Sequence, residues 1–199
     1  MSSPQIARPT AEPDLWKPVL LRAVLALVFG LITVFWPDIT PLFRAIVTGL
    51  YFLASGLAII SLGLAVRQGL PGSVPWLWAE VGVFLLGGIL VMVFQGSLSF
   101  TVLAACSLLL TGVIELFLGF RYRLRTVLGR DWLITGTVAV LAAILLALLA
   151  TTSARAPIGV VGGSAVMIGV VAVLAALSYR HEGSRPAGSG EIPPLRGVE

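Results

Sequence analysis

The sequence predicts an all-α, polytopic integral membrane protein whose six transmembrane helices form three tandem helical-hairpin repeats. Composition is the first reason: 58% of the 199 residues are apolar and 11% charged, against about 45–50% and about 25% in ordinary soluble domains. The second is distribution, because the apolar residues fall in runs of about twenty, the length that crosses a bilayer. The third is a repeat. Gly56, Gly112 and Gly169 stand at offsets of 56 (112−56) and 57 (169−112), and each is followed eleven residues later by an arginine, Arg67, Arg123 or Arg180. A fixed period of this kind marks repeated units, each closing an apolar span with positive charge.

Residues 1–15 are polar and contain prolines, and they read as a disordered N-terminal tail with too little apolar surface to offset ordering. They carry no short apolar core ending in a small-residue cleavage site, so no removable signal peptide is expected. Trp16 and Lys17 suit the headgroup layer and open a first span to Trp36, apolar except for Arg22 and Thr33. Trp36-Pro37-Asp38 stops it, since proline disfavours helical geometry in the residue before it. A second span runs from about Leu42 to Val66 and completes the first hairpin.

Arg67 to Pro75, with its glycines and prolines, reads as a loop. Trp76 and Trp78 open a third span to about Phe94, Gln95-Gly96-Ser97 turns, and a fourth span occupies about Leu98 to Phe120. Arg121, Arg123, Arg125 and Arg130 then make the most basic loop in the chain. The fifth span, about Trp132 to Thr151, places Thr135, Ala139, Ala143, Ala147 and Thr151 at four-residue steps, forming one small-residue face. Thr152 to Ala156 turns, and Pro157 begins a sixth span ending near Tyr179-Arg180. Gly159 and Gly163 form a GxxxG pair, expected to pack closely within the monomer, with a dimer-forming face as the alternative. The membrane domain is therefore 16–182, with repeats at about 16–67, 74–125 and 131–181, and 183–199 is a disordered C-terminal tail.

With these spans the termini and the loops after the second and fourth helices share one side. Ten of the thirteen basic residues lie there: Arg8, Lys17, Arg67, Arg121, Arg123, Arg125, Arg130, Arg180, Arg185 and Arg196. Arg44 and Arg155 lie opposite, and Arg22 lies within a span. Lysine and arginine are retained on the cytoplasmic side, so a cell (inner) membrane protein with both termini cytoplasmic is expected. The net charge of +4 and pI near 10.0 are explained by this topology rather than by nucleic acid. Arg121, Arg123, Arg125 and Arg130 are candidate contacts for anionic lipid, at about 1 kcal/mol per charge near the surface. Small-residue helix faces leave a homo-oligomer open.

Chemistry by familiar constellations is not expected, and neither is a cofactor. The single Cys106 lies in a span, and the single His181, placed at the start of the tail, reads as solvated. That leaves no cysteine or histidine metal spacing and no serine–histidine pair. The glycines around 159–163 lack the strand and lysine of a phosphate-binding loop. What stands out is an intramembrane charge cluster, Arg22, Glu80 and Glu115. Ionisable groups inside spans are costly, by about 2.5–3.5 kcal/mol at the helix centre, and mark functional candidates. Counted at about 1.5 Å per residue, the three lie roughly 6–9 Å inside the same membrane face. Two share faces with small residues: Arg22 with Ala26 and Gly30, Glu115 with Ser107, Thr111 and Gly119. Glu80 has Gly87 two turns away. Three readings stay open: snorkelling to the headgroups, an interior structural ion pair, or a proton or ion pathway.

The phrases WKPVLLRAVLALVFGLITVFWP, YFLASGLAIISLGLAVR and TGVIELFLGFRYRLR resemble the short repeated module of HdeD-type acid-resistance membrane proteins. The resemblance covers about residues 16–181 and rests on Trp16, Arg22, Gly30, Trp36-Pro37, Gly56, Gly112, Glu115 and the arginine ending each hairpin. It departs in the third repeat, whose fifth span has no internal charge and whose turn has no tryptophan–proline pair. The resemblance implies a non-enzymatic inner-membrane protein tied to acid or stress tolerance, and supplies no catalytic residues. The alternative from another class is a small transporter or channel component, whose path would pass Arg22, Glu80 and Glu115.

Overall fold

Long apolar runs with their own backbone donors and acceptors can only be satisfied in lipid by helix formation, and the computed structural model has that form. It describes residues 15–36, 38–150 and 155–183. The helices are α1 (Trp16–Phe35), α2 (Pro41–Val66), α3 (Val74–Val93), α4 (Ser97–Tyr122), α5 (Val127–Leu148) and α6 (Ala156–Gly183). All six are long and apolar enough to cross a membrane. The shortest, at 20 residues, spans about 30 Å, matching the hydrocarbon core. The expected tails, the stop at Pro37, the turn from Thr152 to Ala154 and Thr151 of the small-residue face lie outside the described residues.

Local chemistry sets the helix starts. Thr40 Oγ1 accepts from the Phe43 N–H at 3.1 Å, with Pro41 in the first turn, and Thr126 Oγ1 accepts from the Gly129 N–H at 3.2 Å. The connections are shorter than the sequence suggested. The 67–75 loop contains a 3-10 turn at Pro71–Ser73, and α3 begins at Val74. The basic loop is confined to 123–126, because the Thr126 cap starts α5 early and brings Arg130 and Asp131 into its first turns. At the other end α6 continues to Gly183, so His181 is an exposed residue of a helix rather than of a tail.

The six helices close into a ring, each packed on its sequence neighbours and α6 on α1. The most extensive packing is not within the hairpins but between successive repeats, α2 on α3, α4 on α5 and α6 on α1. Glycine explains the preference. A Cβ on Gly49 would stand 2.9 Å from the Gly88 carbonyl oxygen and one on Gly136 2.8 Å from that of Gly112, so only glycine lets these backbones meet. At the closing interface a Cβ on Gly30 would stand 3.0 Å from the Gly162 oxygen. The repeat glycines all serve these interfaces, Gly56 against Leu85, Gly112 against Val140 and Gly169 against Leu27.

The GxxxG pair does not pack as expected. Nothing lies within 4 Å of a Cβ built on Gly159 or Gly163. Gly162 and Gly169, on another face of α6, make the contacts to α1 instead. On α5, Thr135, Ala139 and Ala143 are buried but Ala147 is exposed. It lines an apolar recess of about 430 Å³ between α4 and α5, beside Ala105 and Cys106. There the positions equivalent to Gly49 and Gly88 hold Ala105 (49+56) and Ile144 (88+56).

Candidate functional site

The ring brings Arg22, Glu80 and Glu115 together at its centre. Arg22 projects from α1, and its Nη2 contacts Glu115 Oε1 on α4 and lies 3.8 Å from Glu80 Oε1 on α3. Neither acid sits on a helix that neighbours α1 in the ring, so a long, forked side chain must cross the interior to reach both. The Glu80 side chain is 0% exposed, that of Glu115 1% and that of Arg22 14%. Snorkelling is therefore excluded. All three side chains turn inward, because their helix faces carry the small residues that admit close neighbours: Ala26 and Gly30 with Arg22, and Ser107, Thr111 and Gly119 with Glu115, all buried. Gly87 supports Glu80 as its spacing suggested, packing against Ser107 of α4.

Toward the turns at 36–40 and 94–96, rings close over the cluster. Phe29 stacks on Tyr51 with centroids 4.2 Å apart, and Phe52 meets Phe84 edge-on at 5.5 Å. Toward the opposite, arginine-rich end, Arg22 lines a cavity of about 30 Å³ with Pro18, Leu62, Asp131, Thr135 and Ala172. That volume is enough to admit water. The more exposed member of the cluster thus faces a largely apolar recess in which Asp131 and Thr135 are the other polar side chains, while the acids are buried in protein.

Sequence reasoning missed three participants. Arg44, assigned to the outer side, is buried inside α2. Its guanidinium lies 4.6 Å from the Phe100 ring centre and donates to the Gln95 carbonyl at 3.3 Å, tying α2 to the turn before α4. The signal was available, since Arg44 follows Pro41, the first residue of the helix, by less than one turn. Asp131, taken for a loop residue, lines the cavity and accepts a hydrogen bond from the Tyr179 hydroxyl of α6. No local pattern announces that contact between residues 48 apart. Arg121, Arg123, Arg125 and Arg130, by contrast, are all exposed at one end of the bundle, where their sequence placed them.

Residues 21–93 match the family model described as a short repeat of unknown function, DUF308. This repeat is typical of HdeD-like proteins. The matched stretch runs from α1 through α3 and includes Arg22 and Glu80 together with the Gly49 and Gly88 contact. No curated protein and no solved structure matches the chain.

Proposed function

We propose that this is a non-enzymatic, multi-pass inner-membrane protein serving acid or stress tolerance, with both termini in the cytoplasm and the Arg22, Glu80 and Glu115 cluster as its functional centre. The observation that carries the reading is the cluster itself: two buried acids and one base gathered inside a closed helix ring. Such a group can exchange protons with water that reaches Arg22 through the adjoining cavity. The exposed Arg121, Arg123, Arg125 and Arg130 suit anionic headgroups on the cytoplasmic leaflet. In this topology Glu80 and Glu115 lie toward the cytoplasm, so the response follows internal pH. The test is survival of acid challenge by cells carrying the wild type, Glu80→Gln or Glu115→Gln in place of the native copy. Protection should require both acids and should vanish when internal pH is clamped; equal protection by both variants defeats the reading.

A second reading, a small transporter or channel component for protons or a small solute, is favoured by one feature. Arg44, Thr48 and Ser55 form a buried polar line on α2, running from the outer end toward the cluster. Purified protein in liposomes should then carry a saturable flux across a pH step, abolished by Arg22→Gln; no flux above protein-free liposomes removes this reading.

A further inference from the structure

The charges of the cluster do not balance. One guanidinium faces two carboxylates, leaving a net charge of −1 if all are ionised, in a place where the acids are 0% and 1% exposed. Among the described residues, the groups that face the cluster from the other helices, through a contact or through the cavity, carry no positive charge. They are Tyr51 of α2, Asp131 of α5 beside the cavity and Tyr179 of α6 bonded to Asp131. Each is neutral or acidic. Apart from the ion contacts to Arg22, no hydrogen bond reaches any of the four carboxyl oxygens from a described residue. Both acids turn their Oε1 toward the same Arg22 Nη2, Glu115 in contact and Glu80 at 3.8 Å, so the two carboxyls share one counter-charge. Like charges placed this closely also resist joint ionisation.

We propose that Glu80 and Glu115 bind one proton between them, making with Arg22 a neutral, single-proton site inside the membrane. Loading adds one H⁺ from water to a carboxylate oxygen and takes the cluster from −1 to 0; release reverses it. The cavity lined by Arg22, Asp131 and Thr135 is the route by which water reaches the site. This rests on the cluster being the functional centre, and it adds what the site holds and in what stoichiometry.

The experiment is infrared difference spectroscopy on the full-length protein in lipid nanodiscs at neutral pH, following the C=O stretch of protonated carboxyl groups and its shift in D₂O. One protonated carboxyl per chain is expected in the wild type. The band should be lost in Glu80→Gln and in Glu115→Gln, because either leaves one acid paired with Arg22, and kept in Asp131→Asn. Either glutamine variant suffices if the other fails to fold. Ala172→Leu, which fills the cavity, should slow exchange of the band at least several-fold. A wild type without the band, or a band that survives the glutamine variants and disappears in Asp131→Asn, overturns the proposal. Unchanged exchange in Ala172→Leu overturns the route. A band as expected together with full acid protection by both glutamine variants would overturn the physiological role alone, leaving the proton site in place.

Discussion

Arg22 on α1 and Glu115 on α4 meet across the interior of a ring in which their helices are not neighbours. Helices on opposite sides are thereby linked by a charged contact. Removing one partner of a buried pair costs about 3–5 kcal/mol in soluble interiors, much of it from the charge left behind. Arg22→Gln and Glu115→Gln should each lower thermal stability in detergent, and the double variant should lose less than the sum by about 0.5–3 kcal/mol. Losses that add to within about 0.3–0.5 kcal/mol would mean the groups are not coupled.

Glu80 stands in a different position. It lies 3.8 Å from Arg22, whereas Glu115 makes the closer contact, so Glu80→Gln leaves the tighter pair whole. Its stability loss should stay below about 1 kcal/mol, against about 3 kcal/mol or more for Arg22→Gln. Thermal melts of the two variants side by side decide it, and equal losses would reverse the ranking of the contacts.

The glycine contacts can be tested the same way. A methyl group at Gly136 would come within 2.8 Å of the Gly112 carbonyl and 2.9 Å of the Leu116 nitrogen, both backbone atoms that cannot swing aside. Gly136→Ala should therefore destabilise by about 1–3 kcal/mol through overpacking. Gly159→Ala and Gly163→Ala meet nothing within 4 Å and should be neutral or slightly stabilising, since alanine favours helix. A neutral Gly136→Ala would show that α4 and α5 can separate without loss.

Topology has its own measurement. Reporter fusions after Arg67, Arg125 and Arg180 should read as cytoplasmic and one at Ser97 as exported, following the basic residues gathered at the end of the bundle that holds Arg121, Arg123, Arg125 and Arg130. A cytoplasmic signal at Ser97 would break the arrangement.

The fold class was legible in the sequence alone, because continuous apolar runs of about twenty residues suit helices rather than the shorter strands of a barrel, and the Gly56, Gly112 and Gly169 period already marked the units. The membership of the charge cluster was legible too, since depth along a helix is counted directly from residue number. What tertiary structure alone decided is which helices meet. The repeat marks hairpins, but the glycine surfaces face the next repeat, and only the closed ring shows α6 returning to α1. The same limit applies to Gly159 and Gly163, whose spacing fits packing but where an added Cβ would meet nothing within 4 Å. Asp131 and Tyr179 were beyond reach for the same reason: a sequence gives the depth and the face of each residue, while the rotation of one helix against another is set by contacts that exist only once all six are in place.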